Sequence, residues 1–272
     1  MNPSNGTPSQ DASAAVDTSV PARPSPETSV PLALYRTMVL SRAVESMEET
    51  VISRGEGHFH IASAGHEATA ALAEFLGPQD WLACHYRDRA LMLARGMASR
   101  ACFDALLAND ASSSRGRQMN VMQSSRELKL LSMPVSVGNN LLPAVGIAAH
   151  IKNEPGAPLV YASVGDGTAQ QGDFYEAIGE AVRSQLPVLF LVQDNGYALS
   201  TTTAAKTFFS LPEGEAESFL GLPIHRMDGV DPLSCRETFS HLCNRIRETR
   251  GPVLALMRTE RLGSHSNADD QT

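Results

Sequence analysis

The sequence predicts an α/β protein with a mostly parallel sheet and helices on both faces, and three observations predict it. An apolar run, Leu159-Val160-Tyr161-Ala162-Ser163-Val164, leads into Gly165-Asp166-Gly167. A second, Pro187-Val188-Leu189-Phe190-Leu191-Val192, leads into Gln193-Asp194-Asn195-Gly196-Tyr197. A helix-length segment, Asp173 to Ser184, separates them. Strands buried on both faces read as such continuous runs. Two of them joined by a helix make a parallel crossover unit. The same alternation of strand and helix continues toward the C-terminus, as a covered parallel sheet requires.

Each element has its own justification. Residues 1 to 30 are rich in Ser, Thr, Pro and Ala. They offer too little apolar surface to offset ordering entropy, so a disordered tail is expected there. An α/β domain over 31 to 272 follows. Pro31 suits a first helical turn. Leu34, Met38, Val44, Met47 and Val51 fall broadly on one face of a long helix, which Gly55 and Gly57 end. Ser63 to Glu67 opens an Ala-rich helix stopped by Gly77-Pro78. Asp80 to Cys84 reads as extended, with helices from Asp88 to Ala94 and from Ser99 to Ala108. Residues 109 to 126 form a polar loop carrying Arg115, Arg117 and Arg126, and a loop of that length is usually functional or mobile. Leu128 to Leu131 reads as a short strand, and Leu141 to Ile151 as a helix rich in small residues. After the crossover unit come a Thr-rich loop, 198 to 212, and a short helix from Glu213 to Leu220. Ile224 to Met227 is a further strand. Asp231-Pro232 starts a helix with apolar residues Leu233, Phe239, Leu242 and Ile246. Pro252 to Met257 is the last strand, and the segment after it is polar.

Composition narrows the function. The 272 residues are 42% hydrophobic and 19% charged, ordinary for a chain with a sizeable core. A net charge of −8 argues against a nucleic-acid binder, which should present a basic surface. The four cysteines, Cys84, Cys102, Cys235 and Cys243, have no CxxC spacing and read as small apolar residues in a reducing compartment. No apolar run approaches the roughly 18 residues of a membrane span. The N-terminus lacks the basic and apolar regions of a signal peptide. A cytoplasmic protein without membrane contact is expected.

Both crossover strands deliver their C-terminal loops to one sheet edge, where α/β proteins bind ligands. Asp166 offers a carboxylate, Asn195 a neutral oxygen, and Tyr197 a main-chain carbonyl. Magnesium takes such hard oxygen donors and completes its shell with phosphate and water. Gly165 and Gly167 let backbone approach a phosphate, and a following helix N-terminus favours its charge. Singly, these are ordinary turn residues. Together, after two buried strands, they read as a cation and phosphate site.

These residues carry a resemblance. Gly-Asp-Gly followed at this distance by Asn resembles the thiamine-diphosphate fingerprint. The string GDGTAQQGDFYEAIGEAVRSQLPVLFLVQDNGYALST is similar to the α subunit of 2-oxo acid dehydrogenase E1 components. So are SAGHEATAALAEFL, DWLACHYRDRALMLARG, GRQM, LPAVGIAAHIK and RLGSHSNADD, which together cover most of residues 31 to 270. The resemblance implies the thiamine-diphosphate-binding fold, with thiamine diphosphate and Mg2+ as cofactors. It implies oxidative decarboxylation of a small 2-oxo acid and acyl transfer to a lipoyl-bearing E2. It also implies a β subunit or fused β domain, which supplies the glutamate that activates the cofactor, in an α2β2 assembly. The branched-chain 2-oxoisovalerate type is nearest. A pyruvate or acetoin type and a non-catalytic α part are the alternatives. Relatives continue into further helix beyond the last segment, so the resemblance also implies a C-terminally shortened domain.

The resemblance carries roles to matching positions. Tyr86 and Arg87 match diphosphate contacts, and an Arg fork suits phosphate oxygens. Asp166, Asn195 and the Tyr197 carbonyl match the magnesium ligands, while Gly165, Gly167 and Thr168 lie beside the diphosphate. Gln193 stands where relatives often have Arg and is counted with the cofactor-binding residues. Asp194-Asn195 replaces an Asn-Asn pair and adds negative charge. His265 matches a histidine in a loop over the cofactor, a catalytic and cofactor-contacting position. Arg261 matches a residue that orders this loop, and Ser266 a position phosphorylated in some members. His66 stands where relatives often have Gln and is expected to be structural. Met133 to Asn140 matches a region that supports the bent cofactor.

Overall fold

The computed structural model describes residues 26 to 269. Of the expected tail, residues 1 to 25 lie outside the described residues. In order, the elements are α1 (Pro26–Ser53), a 3₁₀ helix (Glu67–Phe75), β1 (Trp81–Ala83), α2 (Arg89–Ala94), α3 (Ser99–Leu106), α4 (Leu141–Ile151) and β2 (Val160–Gly165). After a 3₁₀ turn at Thr168–Gln170 come α5 (Gly172–Ser184), β3 (Val188–Asp194), β4 (Tyr197–Ala198), β5 (Thr201–Thr202), β6 (Ser210–Leu211) and β7 (Gly214–Glu215). The chain continues with β8 (Ser218–Phe219), β9 (Leu222–Asp228), α6 (Pro232–Thr249) and β10 (Val253–Arg258).

The main sheet has the order β1-β2-β3-β10-β9-β8. All its pairings are parallel except β8 with β9. Alternation along the strands sorts their side chains into two cores. Val188, Phe190 and Val192 join Val160, Ala162 and Val164 on the face covered by α4 and α5. Leu189 and Leu191 join Val253, Ala255 and Met257 on the face covered by α6, α2 and the 3₁₀ helix. Helices therefore cover both faces, as predicted. Among the described residues no helix is long and apolar enough to cross a membrane.

The register places the site. Gly165 pairs with Gln193, and Arg258 with Asp194, so β2, β3 and β10 end side by side. The β1 exit, the Asp166 turn, the Asn195 turn and the segment leading to His265 all leave from that edge. Thr259 N donates to Asp194 O at 2.7 Å and couples two of these exits. β9 ends at the same edge, where Asp228 pairs with Arg258, and just beyond it Asp231 caps α6 by accepting from Leu233 N and Ser234 N, with Pro232 in the first turn as expected.

Three local expectations are corrected. First, α1 begins at Pro26 and carries Pro31 inside it. Its inward face is not the expected apolar stripe: Met47 is 54% exposed, while Ser41, Val44, Glu45 and Glu48 are buried. The two carboxylates are admitted because Arg89 bridges them, at 2.8 Å to Glu45 and also to Glu48. Second, Leu128 to Leu131 is no strand. Lys129 has φ +52°, which breaks an extended run, and only Leu130 bridges to Leu82 and Ser125. Third, Glu213 to Leu220 is not a helix but β7 and β8. Gly214 at φ +133° and Leu220 at φ +46° exclude helical continuity. Phe219 instead packs on Phe208 at 4.2 Å between ring centroids.

Candidate functional site

The loops at the sheet edge enclose a cavity of about 380 Å³. Its polar side comprises His85, Arg87, Asp166, Thr168, Asn195 and His265, with Gly165, Gly167, Tyr86 and Tyr197 beside them. Its apolar side comprises Ile61, Met119, Met122, Val135, Val137 and Leu199. The structure thus brings together every residue singled out from the sequence for catalysis, cofactor or metal, with the exception of Gln193.

Asp166 follows β2 directly and is 2% exposed. Thr203 Oγ1 donates to its Oδ2 at 2.5 Å. Burial pushes its pKa up to about 6, the Thr203 bond opposes that rise, and the Asp194 charge adds to it. A carboxylate desolvated in this way, with no cation paired to it among the described residues, gains by binding one. Gly167 is required for close approach: a Cβ there would lie 2.5 Å from Ala198 Cβ. A 3₁₀ turn at Thr168–Gln170 follows, and α5 begins at Gly172, one residue before the expected Asp173.

Asn195 Oδ1 accepts from Tyr197 N at 3.1 Å, closing a local turn around Gly196, whose φ is +77°. Tyr197 itself is 45% exposed. Its ring lies under the Arg261 guanidinium at 5.5 Å, and Arg261 Nη1 donates to Leu199 O at 2.8 Å. Arg261 therefore ties the segment carrying His265 to the Asn195 turn. Asp194 does not join the cavity. Its Oδ1 accepts from Gly196 N at 3.0 Å, and it lines a separate cleft with Glu215 and Arg258.

Tyr86, Arg87 and His265 meet on the opposite wall. Tyr86 Oη lies 3.3 Å from His265 Nε2, and Arg87 Cζ stacks 5.1 Å from the Tyr86 ring centre. Arg87 donates to the Ala62 carbonyl and, at 3.5 Å, to His265 O. Burial lowers its pKa from the usual arginine value. His265 is lowered first by burial and then by Arg87. Ser266 is buried, and its Oγ donates to Asp269 Oδ1 at 3.0 Å.

Gln193 lies behind the cavity, corrected from its expected place beside the cofactor. It is 0% exposed, because the odd register of β3 turns it into the core. Its Nε2 donates to Asp88 Oδ1 at 2.6 Å, and its Oε1 lies 2.7 Å from His66 Nδ1. His66, expected to be structural, is fully buried, and burial and then Arg87 push its pKa down to about 3. Its Nε2 lies 3.4 Å from Asn195 Nδ2.

Three site residues gave no separate signal in the sequence. Thr203 is one threonine in a Thr-rich loop. Asp88 looked like a helix start, yet it accepts from His85 N, Tyr161 Oη, Ser163 Oγ and Gln193 Nε2. His85 is buried, and among the described residues neither ring nitrogen has a partner. Its place beside Tyr86-Arg87 was the one clue.

Comparison with known proteins identifies the family. Residues 35–272 match the family model of the dehydrogenase E1 component. The chain is 31% identical over 250 residues to 2-oxoisovalerate dehydrogenase subunit alpha 2, mitochondrial, of Arabidopsis thaliana, covering 89% of this chain and 52% of that one. It is 30% identical to the pyruvate dehydrogenase E1 component subunit alpha of Porphyra purpurea (88% and 72%). Against 2-oxoisovalerate dehydrogenase subunit alpha of Bacillus subtilis the identity is 29% (88% and 73%). The chain spans about half the length of the first of these relatives. In fold it is similar to transketolase from Leishmania mexicana, with a TM-score of 0.55 at 13% identity, over 82% of this chain and 36% of that one. Since the family model takes in nearly all of the described residues, the chain belongs to the dehydrogenase E1 component family.

Proposed function

We propose that this chain is the α part of a thiamine-diphosphate-dependent 2-oxo acid dehydrogenase E1 of the branched-chain 2-oxoisovalerate type. The carrying observation is that Asp166 and Asn195, from adjacent parallel strands, face Arg87 and His265 across one cavity. The residues present fit the group. Among the described residues Asp166 is a buried carboxylate with no cation paired to it and His85 has buried nitrogens with no partner, while Gly167 leaves a gap that a side chain would fill. In this reading Asp166, Asn195 and the Tyr197 carbonyl hold Mg2+. Arg87, Tyr86, Thr168 and the Gly165 and Gly167 backbone hold the diphosphate.

The cofactor, when bound, supplies the carbon nucleophile and electron sink for decarboxylation. The chain supplies binding, orientation and exclusion of water. The wall of Ile61, Met119, Met122, Val135 and Val137 would exclude water from a group bound in the cavity, which would strengthen charge interactions inside. Burial and then Arg87 lower the pKa of His265, which favours a neutral imidazole that could accept a proton from a group bound in the cavity. A β part completes the site, with lipoyl-E2 as the acyl acceptor. A pyruvate-type substrate is the second reading, favoured by the 30% identity to a pyruvate dehydrogenase α subunit.

Calorimetry of the chain with its β partner, titrated with thiamine diphosphate and Mg2+, tests the first claim. Cation-dependent binding is expected, and its absence from a folded assembly overturns the reading. Turnover on 2-oxoisovalerate set against pyruvate and acetoin separates the substrate types.

A further inference from the structure

We propose that Gln193 and His66, anchored on Asp88, are positioning residues that hold the Asn195 amide with its oxygen toward the bound cation. This inference rests on the cation site proposed above, and it concerns residues that touch neither cofactor nor substrate.

The argument is one of donors and acceptors. Asp88 receives four donors, among them Tyr161 Oη at 3.0 Å and His85 N at 2.8 Å, and these oppose the rise in its pKa that burial causes. Facing it, Gln193 must present its NH2, and it does so at 2.6 Å. Gln193 Oε1 is then fixed toward His66, so the hydrogen of the neutral imidazole sits on Nδ1, at 2.7 Å. His66 Nε2 is left with a lone pair. That lone pair can face only the NH2 end of Asn195, at 3.4 Å, the loosest link of the series. The Asn195 oxygen is thereby turned away from His66, where Tyr197 N already holds it at 3.1 Å. One end of the amide is set by a local turn and the other by a relay that begins in the core.

Two features make the relay more than packing. Gln193 and His66 are both 0% exposed, so no water competes for these bonds. The direction of every link also follows from the carboxylate at its root. Replacing the Gln193 amide by an apolar side chain removes the acceptor for Nδ1–H. The imidazole is then free to carry its hydrogen on Nε2, which favours the Asn195 oxygen facing His66 and the NH2 facing the cation.

The test uses Gln193→Met and His66→Phe in the full chain with its β partner, titrated with Mg2+ and thiamine diphosphate. Loss of partners that orient a ligand commonly weakens metal affinity about 10- to 100-fold. A weakening of about tenfold is expected for each variant. It should vanish for Gln193→Met in an Asn195→Asp background, where both terminal atoms are oxygens. An undiminished loss in that background, or unaltered binding by both single variants, overturns the inference. Nitrogen-15 NMR of His66 in the unmodified protein reads the relay even if the variants fail to fold. The Nδ1–H tautomer is expected, and an Nε2–H tautomer overturns it. If the unmodified assembly binds no cofactor, the proposed function falls, while the tautomer still decides whether the relay exists.

Discussion

Burial holds the Asp166 carboxylate at a cost, and the cost has a sign that can be measured. Its pKa in the folded chain is about 6, above the ordinary 3.8. Below pH of about 4 the group is protonated whether the chain is folded or not, and burial carries no penalty. Between the two values the unfolded chain ionises first and stability falls. Above pH of about 6 the loss is complete, at most about 3 kcal/mol for a shift of this size. Asp166→Asn, which keeps an oxygen for Thr203, is therefore expected to stabilise the cofactor-free chain by up to that amount at pH 7.5. Urea unfolding across pH should show the advantage disappearing near pH 4, and the same variant should lose cation-dependent cofactor binding. The place of Asp166 in the cavity was legible because it follows an apolar run and stands between glycines. That of Gln193 was not, since one step in strand register separates a side chain in the cavity from one in the core.

Among the elements, the close meeting of the Asp166 turn with β4 sets how near the two site loops can come. Gly167 has an ordinary helical φ of −64°, so an alanine there is opposed only by its contact with Ala198 Cβ at 2.5 Å. Overpacking of this kind costs about 1–3 kcal/mol. Gly167→Ala is expected to push the Asn195 turn outward and weaken Mg2+-dependent thiamine diphosphate binding about tenfold. Adding Ala198→Gly should restore most of it, as calorimetry on the two variants would show. The strands and helices around this contact were readable because their signals are local. Apolar runs mark β2 and β3, and an Asp-Pro pair marks the start of α6. The α1 face was misread because its charges answer to Arg89, far along the chain. The segment 213 to 220 was misread because its conformation answers to an aromatic cluster around Phe208 and Phe174.

For the molecule as a whole, the Glu45–Arg89–Glu48 group links α1 to α2 beneath the 3₁₀ helix. Glu45 also accepts from Ser63 N at 2.6 Å and Ala64 N at 3.1 Å, which fixes the turn before His66. Breaking a buried ion group by removing one partner costs about 3–5 kcal/mol. Arg89→Ala is expected to destabilise the chain by that amount, read as a lower urea midpoint at unchanged slope. The cavity, in turn, is assembled from the start, middle and end of the described chain. Tyr86 and His265 touch across 179 positions of sequence. No half-folded chain holds such a space, so a ligand that fits it binds only the finished fold and draws the folding equilibrium toward completion. Under the proposed function, occupancy is then a certificate of correct folding, and a cell short of thiamine diphosphate would carry this chain in its most protease-sensitive form.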